Sequence, residues 1–409
     1  MKQRNHRAAG FSRCPDAFPL VPPEKNRYTV SMEQKKENKR GPAAIFRLCP
    51  VRHLLALLGA LVIALHLLTR KNHALNLRLS EGFVRPLHRS LAVATARLPF
   101  SLAEALILLA AGTAIVYIII SIVRLVRCGQ KGRQVYIIFM TLLSAVLLVY
   151  GGFCLLWGVF YYGDDFMQRS GLEQRDVSTE ELKTVTAYFA ALAGDYADRV
   201  PRDENGVCAT NRQAVLDKSV TLYDAVTAEY PTLSGPRVPA KGFRCSRLLS
   251  YLDFTGFFFP FTAEANVNID FPPSLFAATV AHELAHQRGV AKEQEANFAA
   301  VLASLADGDA DFVYSAALLA YTHLGNALYE ADRAAWEEVC ALLPPAVLRD
   351  FAANREYWQQ FETPVQTVSN TVYEGFLKSY DQSLGLRSYG ACVDLLVAHY
   401  YDAAVRAGY

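Results

Sequence analysis

The chain has 409 residues, 52% of them hydrophobic and 20% charged, with 41 Lys and Arg against 39 Asp and Glu and a formal net charge of +2. So apolar a composition excludes an ordinary soluble domain, while the length suffices for a membrane part and one sizeable domain. A near-neutral balance, with no Lys/Arg stripe interleaved with aromatics in the C-terminal half, excludes a nucleic-acid binder.

The segment Met1 to Arg52 holds twelve Lys and Arg against four acids and has no hydrophobic periodicity, which describes a solvated, disordered cytoplasmic tail over 1–44. Met32 is an alternative start. "CPVRHLLALLGALVIALHLL", Cys49 to Leu68, reads as a first membrane span, with Arg52 and His53 at its start, where long side chains snorkel. No small-residue cleavage site follows, so it stays in the membrane and is not a signal peptide. Phe100 to Val123 is a second span, with Glu104 near one end, where a carboxylate reaches headgroups or water. Val135 to Tyr161 is a third, inside an uncharged stretch from Arg133 to Asp164 that exceeds the roughly 20 residues needed to cross a bilayer.

Positive charge then predicts orientation. The tail and the short loop with Arg124, Arg127, Lys131 and Arg133 lie inside, which sends everything after the third span outside. The loop between spans one and two breaks this rule, with six cations from Arg70 to Arg97 on the outer side. Its pattern, "GFVRPLHRSLAVATARLPF", spaces Phe83, Leu87, Leu91 and Leu98 with basic residues between, as an amphipathic segment on the membrane face does. The expected organisation is a tail over 1–44, a three-span region over 45–165 and an extracytoplasmic domain over 166–409, in a multi-pass protein of the cytoplasmic membrane.

The domain is mainly α by pattern. Ser178 to Glu181 fits a capping box opening a helix with Leu182, Val185, Phe189 and Leu192 at helical spacing. Further helical runs cover 211–229, 312–330, 334–343, 347–360, 365–380 and 389–405. "GFFFPFTAEANVNIDFPP", Gly256 to Pro273, is instead a short strand or hairpin, since Ala265, Val267 and Ile269 alternate and two prolines end it. Asn266 and Asn268 read as strand-edge polarity. Cys208, Cys245, Cys340 and Cys392 have no metal-ligand spacing and leave room for one oxidised pair or for idle thiols.

"SLFAATVAHELAHQR" begins after Pro273 and runs without a breaker to Gly289. On that helix His282 and His286 are i and i+4, so both imidazoles project from one face at the separation a tetrahedral metal needs. Glu283 points to the adjoining face, where it can hold a metal-activated water and take its proton as general base. Zinc, one per chain, would lower that water's pKa to about 7 and polarise a substrate carbonyl. Gly289 can end the helix in the left-handed conformation, so "GVAKEQEANFAAVLASLA" turns back as a second helix. There Glu293 and Asn297 share a face. Glu293 is the expected third ligand, Asn297 its neighbour orienting an imidazole, and Glu295 the alternative ligand.

The constellation resembles the gluzincins among zinc metallopeptidases, with Glu293 and Ala296 of "EQEAN" matching their second-helix pattern and Asn297 standing where Asp is frequent. A metzincin-type third histidine would fall at Lys292, which cannot serve. A closer resemblance covers nearly the whole chain after residue 45. The three spans, "LPFSLAEAL", "FPFTAEANVN", "HELAHQRGVAKEQEANF", "ANREYW" and "SYGACVDLLVAHYY" are similar to the uncharacterised bacterial membrane family called domain of unknown function 3810. That resemblance implies a membrane-anchored zinc-peptidase-like fold and adds no substrate.

The expected function is therefore a membrane-anchored zinc peptidase that hydrolyses peptide bonds of a peptide or protein substrate. Tyr380, Arg387, Tyr389 and His323 are candidate donors to the developing oxyanion, and the strand Phe261 to Ile269 could bind an extended peptide by edge pairing. The competing expectation is a non-catalytic sensor or scaffold in which zinc holds two helices together, needing neither a base nor an open corner. Charged Arg288, Lys292, Glu293 and Glu295 around the motif argue against cleavage inside the bilayer.

Overall fold

A computed structural model describes residues 45–127, 129–172, 175–380 and 389–409. The tail expected over 1–44 lies outside them. Arg52–Tyr409 forms one compact unit, which holds the sheet, the candidate site and all but the first two residues of the spans.

Among the described residues three helices are long and apolar enough to cross a membrane: α1 (Pro50–Thr69), and, after α2 (His73–Leu79) and α3 (Arg85–Thr95), α4 (Leu102–Arg127) and α5 (Lys131–Leu156). Small residues let α1 and α5 approach closely. A Cβ on Gly59 would lie 2.7 Å from the backbone carbon of Leu147, and one on Gly151 would lie 3.2 Å from the Gly59 carbonyl. The polar start of α1 is satisfied across the same contact, Arg52 Nε donating to Thr141 Oγ1 at 2.7 Å and His53 Nε2 lying 2.7 Å from the Tyr136 hydroxyl. The third span begins and ends earlier than expected, at Lys131 and Leu156. Trp157 leaves helical geometry at φ −133°, and Gly158–Tyr162 tighten into a 3₁₀ turn.

The loop between spans one and two does not lie free on a membrane face. α2, a π-helical turn at Ser80–Val84 and α3 pack on the C-terminal domain with Val84 and His88 buried. Its cations serve this docking: Arg85 Nη1 donates to the Thr232 carbonyl at 2.9 Å, Arg89 Nη2 to that of Ser234 at 2.9 Å, and Arg85 also pairs with Glu81 at 3.0 Å. For these two of the six cations the partners are carbonyls and one acid of the protein.

A reciprocal pair of caps fixes α4 to the domain. Glu104 does not reach headgroups; it is buried and accepts the Arg244 and Cys245 backbone N–H groups at 3.0 and 2.7 Å. In return Glu264 accepts the Leu102 and Ala103 N–H groups at 3.0 and 2.7 Å, together with Lys241 Nζ at 2.7 Å. Two of the orphan donors at the start of α4 are thereby satisfied by a carboxylate 162 and 161 residues away. The segments "LPFSLAEAL" and "FPFTAEANVN" are the two halves of one contact, closed by Ser101 Oγ donating to Asn266 Oδ1 at 2.6 Å.

The domain is helical around a small sheet. After α6 (Phe166–Ser170) come α7 (Thr179–Ala197), with the Ser178/Glu181 capping box formed, and α8 (Arg212–Lys218). α8 stops well short of the helix expected over 211–229; β-branched Val220 and Thr221 follow it, and the chain turns to bury Leu222 and Tyr223. β1 (Lys241–Phe243), α9 (Ser246–Tyr251), β2 (Gly256–Phe259) and β3 (Glu264–Asn268) make a three-stranded sheet in the order β1-β3-β2, with β1 parallel and β2 antiparallel to β3. The hairpin is readable in the sequence; the remaining strand, three residues around a glycine, is not. α10 (Phe276–Gln287), α11 (Glu293–Asp307), α12 (Ala310–Ala331), α13 (Arg333–Cys340), α14 (Pro345–Gln359), α15 (Pro364–Ser379) and α16 (Tyr389–Arg406) complete the domain. α7, α10, α11, α12 and α16 enclose one core, with Phe189, Phe298, Phe312 and Leu396 fully buried.

Asn266 and Asn268 are not edge polarity. β3 is the central strand, and both side chains are wholly buried and hydrogen-bonded, Asn268 Nδ2 donating to Ser250 Oγ at 2.9 Å and to the Phe254 carbonyl at 3.1 Å. Cys208, Cys245, Cys340 and Cys392 are free thiols, so no oxidised pair forms among them.

One buried ionic network ties α12 and α14 to the loop after α7. Asp350 accepts the Cys208 N–H at 2.7 Å, Arg202 Nη1 at 3.1 Å and the Tyr314 hydroxyl, while Arg202 Nη2 reaches that hydroxyl at 3.1 Å. Asp350→Ala leaves the part-buried Arg202 guanidinium, which keeps the Ala197 and Gly206 carbonyls, without its charge partner and orphans the buried Cys208 N–H, and is expected to cost about 1–3 kcal/mol of stability. Chemical denaturation of the detergent-solubilised protein measures this; a cost under about 1 kcal/mol would show that water replaces the carboxylate.

Candidate metal centre

α10 carries the first two side chains of the centre. It is buried on nearly every face, and Gly289, at φ +79°, reverses the chain into α11. A Cβ on Gly289 would lie 2.9 Å from Phe160 and 3.0 Å from Arg85 Nη2, so this turn is also where the span-side elements pack. The reversal brings Glu293, the first residue of α11, back over the histidines.

His282, His286 and Glu293 offer ligand atoms within 4.8 Å of one another. Glu293 Oε2 lies 3.2 Å from His282 Nε2 and 3.6 Å from His286 Nε2. The other nitrogen of each ring is already committed: His286 Nδ1 is 2.7 Å from the Val290 carbonyl, which can only accept, and His282 Nδ1 is 2.8 Å from Asn297 Oδ1. Each Nδ1 therefore carries the proton, and in a neutral ring each Nε2 turns a lone pair toward the same carboxylate oxygen. Two lone pairs and a carboxylate facing one another repel unless a cation lies among them, and this donor set fits zinc. Without a metal the cation is a proton. Burial alone would lower the His286 pKa, but the Glu293 charge overrides it and carries it up to about 9, while the imidazoles hold Glu293 well below the usual carboxylate range against its own burial.

Asn297→Ala removes the acceptor that fixes the His282 ring. Zinc affinity is expected to fall about 10–100-fold with the fold intact, measured by competition with a chelating dye; an unchanged affinity would mean that the ring is held by packing alone.

Glu283 lies on the adjoining face, buried, with Oε2 lacking a hydrogen-bond partner. Burial pushes its carboxyl up to about 7, with the nearby imidazoles pulling the other way. It packs against β2 where a side chain is not tolerated: a Cβ on Gly256 would sit 2.7 Å from both Cγ and Oε1 of Glu283 and 2.9 Å from the Asn266 carbonyl.

Glu295 is not in the cluster. It points away from the histidines and accepts the Phe166 and Met167 N–H groups at 3.0 and 3.4 Å, capping α6, and its burial beside Asp165 raises its pKa to about 7. His323 is buried in a hollow of about 320 Å³ that it lines together with His282, Glu293 and Asn297; burial, then the His282 charge, lower its pKa to about 4. Tyr380 does not face the cluster: it packs on Tyr161 with ring centroids 4.7 Å apart, and its hydroxyl lies 3.6 Å from Cys154 Sγ of α5. Arg387 lies outside the described residues, and Tyr389 is described only as the first residue of α16.

A second hollow, of about 520 Å³, opens over His282, Glu283, His286 and Glu293 between β2 and α15, with Phe153, Trp157 and Tyr161 at its span side. Edge pairing cannot involve β3, whose two edges are taken by β1 and β2; of the two outer strands β2 is the one at this cleft, lined by Thr255 to Phe258. Two tyrosines here escape a reading of the sequence. The Tyr373 hydroxyl donates to Glu293 Oε1 at 2.7 Å, and the Tyr161 hydroxyl accepts Trp157 Nε1–H at 3.2 Å, leaving its own proton to donate. Nothing local in a chain with 21 tyrosines distinguishes either one.

Residues 79–397, which include the loop helix α3, the whole sheet, the His282, His286 and Glu293 cluster and both walls of the cleft, match the family described as Protein of unknown function (DUF3810). The chain belongs to this family. No curated protein and no solved structure matches it. The DUF3810 match begins after the first span and ends within α16, so the caps joining α4 to the sheet fall inside the family's common region along with the HELAH and EQEAN segments.

Proposed function

We propose that this DUF3810 protein is a membrane-anchored, zinc-dependent peptidase of zincin-like architecture, with its domain on the extracytoplasmic side as the basic residues at the far ends of α4 and α5 indicate. The observation that carries the proposal is the convergence of two Nε2 lone pairs on the Glu293 carboxylate beside Glu283, a buried carboxylate with one oxygen unpartnered. His282, His286 and Glu293 would hold the metal, and Asn297, the Val290 carbonyl and Tyr373 orient them. Zinc, when bound, supplies a Lewis acid that acidifies water and polarises a carbonyl.

The chain's own residues supply the rest. Glu283 takes a proton from the attacking water and returns it to the leaving nitrogen, a role suited to a carboxyl raised toward neutrality. Tyr161, its oxygen already accepting from Trp157, has a proton to give to the developing oxyanion. The free edge of β2 along the cleft offers backbone groups to an extended peptide, which fixes chain direction.

A purely structural zinc site would be closed by four protein donors. Among the described residues the cluster has three, and Glu283 beside it would have no task. The test is metal analysis of the purified full-length protein with a peptide-library digest, with and without chelator. One zinc per chain and chelator-sensitive hydrolysis are expected; zinc without hydrolysis would favour the scaffold.

A further inference from the structure

The cleft lies at the end of the spans remote from their basic residues. Arg124, Arg127, Lys131 and Arg133 mark one end of the paired spans α4 and α5. A hydrocarbon core takes about 20 helical residues, and that count runs from Arg133 to Phe153 on α5 and back from Arg124 to Glu104 on α4. Both points are where the domain touches the spans: Glu104 accepts two N–H groups of the loop before α9, and a Cβ on Gly152 would lie 2.8 Å from the Phe261 ring. Phe153, which lines the cleft, is itself part of the span.

The α15 wall continues this apolar level outward. Its inner side gives Tyr373 to Glu293 and Phe376 to Phe153, with ring centroids 5.4 Å apart. Its outer side presents Val365, Val368 and Val372, at i, i+3 and i+7, exposed by 55%, 64% and 67%. These form an open apolar groove with Leu252 and Phe254, and no charged residue occurs between Glu362 and Glu374. A surface so apolar and uncharged, continuous with a span through the Phe376–Phe153 contact, has the character of an interfacial helix.

We propose that this outer face of α15 is seated in the bilayer surface, so that the cleft opens at the membrane and takes the juxtamembrane segment of a membrane-anchored polypeptide. The seating stands on the geometry; the substrate class rests on the peptidase reading. A chain leaving the bilayer beside α5 meets Phe153 first and then the β2 edge, without having to diffuse in from solution.

The test uses the full-length protein in vesicles of phosphatidylcholine with phosphatidylglycerol, carrying photoreactive benzoylphenylalanine at Val368, at Leu142 of α5, or at Tyr329, which has Glu330 and Arg333 close by in the chain. Lipid adducts at 368 comparable to those at 142, and at least about tenfold above those at 329, are expected for a seated helix. Adducts at 368 with a second copy of the chain, or none with lipid, would overturn the seating. In the same vesicles one peptide library is offered free or fused to a membrane-spanning helix. Val368→Asp with Val372→Asp should slow cleavage of the anchored library at least about tenfold and leave the free one within about twofold, a control that the domain still folds. Equal effects on both would overturn the substrate class. Lipid adducts at 368 with neither library cleaved by the unaltered protein would sink the peptidase reading and leave the seating in place.

Discussion

Glu283→Gln is expected to keep one zinc per chain and to slow peptide hydrolysis by roughly 10²–10⁴-fold, the usual contribution of a positioned general base. The change is close to isosteric, so the carboxamide fits the space against Gly256 that admits no larger group. It removes only the ability to take a proton. The same carboxyl predicts the pH profile: burial raises it to about 7, and a cation at the neighbouring imidazoles acts in the opposite sense. The acid limb of kcat/KM should therefore lie at or below pH 7, with the rate rising about tenfold per unit below it as the base form is populated. Glu295→Gln provides the comparison, since Glu295 caps α6 away from the cluster and its amide oxygen can still accept the nearer of its two donors, the Phe166 N–H. Hydrolysis near the unaltered rate in Glu283→Gln, with zinc retained, would remove Glu283 from the mechanism.

The site's short-range part is legible in the sequence, and its long-range part is not. A helix without a breaker fixes His282 and His286 on one face, and a glycine at positive φ explains how Glu293 and Asn297 return to them. Both relations span fewer than about 16 residues and follow from helical periodicity and turn chemistry. Tyr373 and Tyr161 reach the same cleft from distant elements, and no local pattern marks them. The polar residues Glu104, Asn266 and Asn268 mislead for one reason: each looks solvent-facing or span-terminal until its partner on another element is known. β1 escapes notice because three residues around Gly242 carry no alternation, and the helix over 211–229 is overextended because its apolar spacing continues past the point where Leu222 and Tyr223 turn into the core.

Zinc binding at pH 7 is expected to release about one proton, and zinc affinity to rise about tenfold per pH unit up to about pH 9. The proton is the one on His286. Its Nδ1–H is held by the Val290 carbonyl, so the site that gains and loses a proton is Nε2, the atom that a metal would use. The Glu293 carboxylate raises that equilibrium to about 9 despite burial, so below this pH the metal-free ring is charged and zinc must displace its proton. Glu293 itself is held well below the usual carboxylate range and stays ionised throughout, contributing no proton of its own. Calorimetric zinc titrations of the chelator-stripped protein, in buffers of different ionisation heat, count the protons released. Glu293→Gln removes the charge that holds the proton, so its release at pH 7 should fall toward zero while affinity also drops through loss of a ligand. Loss of affinity with the proton count unchanged would mean that the carboxylate does not govern His286, and the two-lone-pair geometry that argues for a metal would lose its support.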